Sequence, residues 1–198
     1  MWQCFNFTSA EIDSIQKHIF FHPSLRTTAR ELARHITPVE DGPYNALHIR
    51  FADGESNKVR ENWLRPASTF AFRMRMAKFA DISRYLYIAT VPSKASSPYF
   101  KAFKESYNVS FSSALPQRIP VVESFAPAMR STVLGILEQL ICARAQKFLG
   151  TGFSTFSEHI RTLRRFRALV VDPTASTSEA EVRFASQVTP CLNDLKVC

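Results

Sequence analysis

The sequence predicts an α/β fold with a mostly parallel sheet. Two observations point there. Short apolar runs with strand character (YNALHIRF at 44–51, YLYIAT at 85–90) alternate with amphipathic helical stretches, the pattern of strand–helix–strand units. The second run carries no charge, as suits a strand covered on both faces.

Taken in order, residues 9–21 predict a helix capped by Ser9, with Ile12, Ile15, Ile19 and Phe20 as its apolar stripe and Pro23 as its stop. Residues 24–36 predict a second helix, with Leu25, Ala29, Leu32, Ala33 and Ile36 on one face. Asp41-Gly42-Pro43 is a turn signal. In the 44–51 strand, alternation sends Leu47, Ile49 and Phe51 to one face and His48 and Arg50 to the other. A polar loop runs from Ala52 to Pro66, then a helix over 69–82, the 85–90 strand, a helix over 97–107 and a short strand at 109–112. Residues 115–125 are Pro-punctuated loop. A long apolar helix follows over 128–146, then a brief strand into Gly150-Thr151-Gly152, a helix over 154–166 and a last strand at Leu169–Val171. The expected organisation is one domain over 1–171 and a loosely held Ser/Thr/Glu-rich tail over 172–198.

Composition sets the outer limits. The 198 residues are 45% hydrophobic and 21% charged, which excludes a disordered chain. The net charge is +8, and the tail is acidic, so residues 1–171 hold +10. That balance favours anionic ligands. Cys4, Cys142, Cys191 and Cys198 form no Cys-x-x-Cys pair, so their spacing does not point to zinc. Asn6-Phe7-Thr8 and Asn108-Val109-Ser110 are glycosylation sequons, of consequence only in the secretory pathway. The first residues do not read as a leader peptide, and no apolar stretch is long enough to span a membrane.

Four segments could bear chemistry. His48-Ile49-Arg50, with Asp53 three residues on, ends a strand, where parallel sheets bind ligands. Arg50 there suits a phosphate, which it can hold through two oxygens. A structural Arg–Asp pair beside a core histidine fits equally. The second segment is Gly150-Thr151-Gly152-Phe153-Ser154-Thr155-Phe156-Ser157-Glu158. Glycines that admit close approach, free amides at a helix start and several hydroxyls suit a phosphate. A capping box with Thr155 as N-cap and Glu158 three residues later is compatible with that. The segment lacks both the Walker A and the GxGxxG patterns. Third, Glu138 on the long helix could accept from a ribose hydroxyl or a base N–H, or simply face solvent. Fourth, the basic helix around Arg73, Arg75 and Lys78 is read as a solvated face, and no RNP or zinc-knuckle pattern supports nucleic acid.

Together these segments resemble the GDP-fucose protein O-fucosyltransferases, nearest the type that modifies thrombospondin repeats. The family's His-x-Arg-x-x-Asp motif is similar to His48 through Asp53, its Asp-Gln-x-Ile-Cys segment to Glu138 through Cys142, and its Phe-x-Gly-Thr-x-x-Ser-Thr-Phe-Ser segment to Phe148 through Ser157. Order and spacing agree, and the resemblance runs from about residue 5 to 165. It implies a Rossmann-like lobe, the carboxyl-terminal, nucleotide-sugar-binding half of a two-lobed GT-B glycosyltransferase. It also implies transfer of fucose from GDP-fucose to Ser or Thr of a folded protein acceptor, in the endoplasmic reticulum lumen, with neither metal nor cofactor. Arg50 is then the catalytic cation on the leaving diphosphate. His48, Glu138, Ser154, Thr155 and Phe156 bind the donor, and Asp53, Gly150, Thr151 and Ser157 support them. The departures are Glu138 for the family's Asp, Ala89-Thr90-Val91 where Thr-Asp is usual, and no counterpart of the amino-terminal lobe. A non-catalytic GDP-sugar-binding remnant is the alternative.

Overall fold

The computed structural model describes residues 21–51, 66–152 and 154–165. Four strands form one all-parallel sheet: β1 (Asn45–His48), β2 (Tyr85–Ala89), β3 (Asn108–Ser110) and β4 (Phe148–Gly150), in the order β3-β2-β1-β4. The helices are α1 (Pro23–Ala33), α2 (Ala67–Met76), α3 (Phe79–Ile82), α4 (Lys101–Lys104), α5 (Pro120–Glu123), α6 (Pro127–Arg144) and α7 (Thr155–Arg165). The α/β class and the Rossmann-like parallel sheet anticipated from the sequence are what the structure has.

The strand order explains where the helices lie. Parallel crossovers are right-handed. Stepping from β1 to β2 to β3 therefore puts the connecting helices on one face, and returning past β1 to β4 puts them on the other. Alternation in β1 serves both layers. Leu47 and Ile49 enter a core with Phe70 and Met74 of α2, Leu86 and Ile88 of β2, and Phe100 and Phe103. Ala46 enters the opposite core with Tyr87, Ala89, Leu137 and Ile141 of α6 and Ile160 of α7. Tyr44, just before β1, donates its hydroxyl to the Ile141 carbonyl at 2.7 Å and ties the sheet to α6.

Several boundaries differ from the sequence reading, for physical reasons. Pro23 opens α1 rather than closing the preceding helix, because its fixed φ suits a first helical position. Only Asn45–His48 of the 44–51 stretch is strand, so Arg50 lies beyond the paired region. The expected 69–82 helix is two, broken at Ala77–Lys78, where Lys78 adopts φ 53°. The freed carbonyls of Ala77 and Lys78 both accept from the Lys147 ammonium, which arrives from the far end of the chain. The 97–107 helix is a 3₁₀ turn at Pro98–Phe100 followed by α4, and the 115–125 loop contains α5. The helix expected before Phe21, the 52–65 loop with Asp53, the Leu169–Val171 strand and the tail lie outside the described residues. Among the described residues, no helix is long and apolar enough to cross a membrane.

Candidate functional site

β1 is the strand at which chain order reverses, with β2 on one side and β4 on the other. In open parallel sheets the crevice at the carboxyl ends of such strands is where ligands sit. His48 pairs in register with Gly150, so both motif-bearing segments leave the sheet at this point, side by side.

Thr151 fastens the two exits. Its backbone N–H and its hydroxyl both donate to the His48 carbonyl at 3.0 Å, and its Oγ1 accepts from the Arg50 N–H at 3.0 Å. Arg50 is thus placed by its backbone, and its residue is exposed at the sheet rim. His48 is buried, with Nδ1 2.7 Å from the Ser157 hydroxyl and its ring 4.5 Å from that of Phe156. Both partners lie in the first turn of α7. Burial pushes the His48 pKa down to about 4, and the guanidinium of Arg50, then that of Arg161, adds to the shift. His48 is therefore neutral at physiological pH, and the positive charge of the site resides on arginine.

Gly150 makes this packing possible. A Cβ built there would stand 2.5 Å from Ser157 Oγ and 2.7 Å from Ser157 Cβ. The glycine is required by the helix that settles on the strand end. Gly152, by contrast, has open space around it.

The start of α7 corrects the sequence reading. The helix begins at Thr155, so Ser154 is the N-cap, its Oγ accepting from the Ser157 N–H at 3.5 Å. Glu158 makes no capping box and instead accepts from Arg161 at 2.7 Å on the exposed face. Ser154 is buried while Thr155 is exposed. The N–H groups of Thr155 and Phe156 occupy the first two helical positions, where no intrahelical acceptor exists.

Glu138 does not simply face solvent. It is half-buried on α6, and the hydroxyl of Tyr87 on β2 donates to its Oε1 at 3.0 Å. Burial raises its pKa to about 7, with the Tyr87 hydrogen bond pulling the other way. Tyr87 lies in register with Ala46. It is therefore on the same sheet face as His48, one strand over and two residues back, about 8 Å between Cα atoms from strand spacing and rise. On the adjacent turns, His159 of α7 donates from Nδ1 to Gln139 Oε1 at 2.7 Å, which holds α7 to α6. The structure thus gathers His48, Arg50, Gly150, Thr151, Ser154, Thr155, Phe156 and Ser157 at one sheet end, with Glu138 on the same side. Asp53 is outside the described residues. Sequence reasoning missed two contributors, Tyr87 and Arg161. Arg161 follows Ser157 by four residues and so shares its helix face, a signal the spacing contained.

Two measurements check this geometry. Gly150→Ala is expected to cost about 1–3 kcal/mol in urea unfolding, because Ser157 must move off the strand, while Gly152→Ala leaves stability unchanged. Equal effects of the two would contradict the close approach. The second concerns pH. The neutral His48 contributes stability that is present above pH 6.5 and lost as pH falls through about 4. Glu138 contributes stability present below pH 4.5 and lost as pH rises through about 7. Glu138→Gln removes the second slope. The variant should gain on the wild type by about 3 kcal/mol between pH 4.5 and pH 7, and a difference independent of pH would count against the burial of this carboxyl.

A family model described as GDP-fucose protein O-fucosyltransferase matches residues 1–167. Searches of curated proteins and of solved structures found no match. The matched stretch takes in the whole described sheet and every residue of the site, and the chain belongs to the GDP-fucose protein O-fucosyltransferase family.

Proposed function

We propose that this lobe binds GDP-fucose in the crevice between the ends of β1 and β4, as the carboxyl-terminal, donor-binding half of a GT-B enzyme of the thrombospondin-repeat-modifying type. The observation that supports this most is the convergence of Arg50, neutral His48 and the open first turn of α7 at the point where strand order reverses. The diphosphate sits against the Thr155 and Phe156 amides and the Thr155 hydroxyl, with Ser154 fixing the turn as its cap. If Ser157 donates to His48 Nδ1, the ring proton is on Nε2, a second donor toward the same anion. Glu138 receives the nucleoside.

The transferred bond is that between the fucose anomeric carbon and the β-phosphate oxygen. As it breaks, the sugar acquires oxocarbenium character and the electron pair stays on the departing GDP. A Ser or Thr hydroxyl of the folded acceptor attacks the opposite face and loses its proton, which inverts the anomeric centre. Charge on the β-phosphate is greater in the transition state than before it, so a guanidinium aimed there accelerates the step. That is the role of Arg50. Acceptor contacts and the base that takes the hydroxyl proton belong to an amino-terminal lobe. The reaction is assigned to the endoplasmic reticulum lumen, in keeping with family members that work in luminal compartments.

Calorimetry with GDP tests the donor site. Arg50→Ala should lower GDP affinity by a factor on the order of 10² with the fold intact by circular dichroism, the bond to Thr151 being made by the Arg50 backbone. Unchanged affinity would show Arg50 to be structural. Where an amino-terminal lobe is supplied, the same variant should lose a factor of about 10²–10³ in fucose transfer to a folded thrombospondin repeat. GDP binding without any transfer would select a non-catalytic binder instead.

A further inference from the structure

We propose that Tyr87 is a positioning residue of the nucleoside pocket, holding one oxygen of Glu138 so that the other is presented to a ligand N–H or O–H, and that this makes nucleotide affinity proton-linked. The inference rests on the donor-site reading above and deepens it.

Tyr87 is fully buried in the middle of β2, in the core beneath α6. A buried phenol needs a hydrogen-bond partner, and its hydroxyl has one, donating to Glu138 Oε1 at 3.0 Å. The bond fixes a side chain that otherwise has three free torsions. Among the described residues, Glu138 Oε2 has no hydrogen-bond partner. Glu138 has one methylene more than Asp, and that added reach lets its carboxyl meet a phenol rooted in the sheet while remaining half exposed.

Only the ionised carboxyl offers acceptors in both directions. Protonated, it would keep one oxygen for Tyr87 and turn a hydroxyl toward a ligand edge that is itself a donor. Binding of a base N–H therefore requires the proton to leave, whereas a ribose hydroxyl can donate to the ionised carboxyl or accept from the protonated one. The surroundings make that transition accessible, since burial raises the Glu138 pKa to about 7. The titratable groups around the pair are Cys142 on the same helix, whose thiol burial pushes well up and keeps neutral at this pH, and Tyr44 beside β1, with Arg164 of α7 acting on Cys142. His48 on β1 and His159 on α7 both have depressed pKa values. Among the described residues, burial and the Tyr87 hydrogen bond are what shift Glu138, so its proton responds to the ligand and to Tyr87.

The test is GDP affinity of the full chain by calorimetry from pH 5.5 to 9. Dividing each affinity by that of Glu138→Gln at the same pH cancels the ionisation of the GDP phosphate and of the histidines. For the wild type this ratio should climb about tenfold per pH unit below 7 and level off above it. Tyr87→Phe loses a donor that favours the ionised form and frees the carboxylate it held, so its midpoint should move to higher pH and its plateau should lie below that of the wild type. A merely structural tyrosine would lower affinity by one factor at every pH, and that result overturns the proposal. Should Tyr87→Phe not fold, 3-fluorotyrosine at position 87, a stronger donor of nearly the same size, must move the midpoint down; an unmoved midpoint overturns the proposal as well. Inosine diphosphate, which lacks the exocyclic amine, tells whether that N–H is the donor read, because the rise with pH then shrinks. Absence of GDP binding at every pH would defeat the donor-site reading itself. GDP binding that depends on Arg50 but shows a flat ratio would defeat this inference alone.

Discussion

The site depends on one steric fact, the approach of a helix to a strand end that has no side chain. Gly150 faces His48 across the β1–β4 pairing. Because Gly150 has no Cβ, Ser157 can come down onto the strand, and from there its hydroxyl reaches His48 Nδ1. The first turn of α7 is thereby pinned over the crevice, its leading amides open to a ligand. Phe156 covers the histidine ring, and Thr151 binds the two exiting chains to each other. A methyl group at Gly150 would disturb all of these together, so the interaction governs the shape of the crevice as well as stability.

The electrostatics follow from the same packing. A histidine enclosed by a helix turn and flanked by two guanidiniums gives up its proton. Neutral, it serves as a hydrogen-bonding surface without adding to cation repulsion, and the charge is left to Arg50 and Arg161. Glu158 pairs with Arg161, but both are well exposed, and such a pair screens its partner only weakly. An anion with more than one charge is the complement of this arrangement. Glu138 has the opposite character, a carboxyl that burial inclines to keep its proton. The arginine end thus favours anionic oxygen and the Glu138 end, once its carboxyl is ionised, a donor-bearing group, which matches the polarity of the nucleoside diphosphate proposed for it.

Much of this was legible in the residues. Alternation in 44–51 correctly divided Leu47 and Ile49 from His48, because a strand sandwiched between two layers must sort its side chains by face. The small, hydroxyl-rich turn before α7 marked a helix start, though its cap is Ser154 and not Thr155; the two are adjacent, and only the backbone decides which stands outside the helix. What the residues could not give were the long-range partners. The break at Lys78 has no glycine to announce it and is supported by Lys147, 69 residues away. Glu138 read as a solitary acid because Tyr87 is 51 residues earlier and on a strand whose neighbours are set by topology. The adjacency of β4 to β1 is likewise a property of chain order in the sheet, with no local signal.

The proposed division of labour in catalysis follows from what each gathered group is already doing. His48 has its Nδ1 in a hydrogen bond with Ser157 and a pKa near 4, which makes it a poor acceptor for a hydroxyl proton near neutral pH. Glu138 is a stronger base, but its carboxyl is tied to the phenol of β2 at the nucleoside end, away from the anomeric carbon in the proposed pose. Arg50 is permanently charged and can only donate. Among the described residues at the site, then, the chemistry is directed at the leaving group: holding a diphosphate and stabilising the charge that collects on it. Deprotonation of the acceptor requires a group on the opposite face of the sugar, so donor affinity and transfer are separable properties, and a lobe that binds GDP tightly need not be one that transfers fucose unaided.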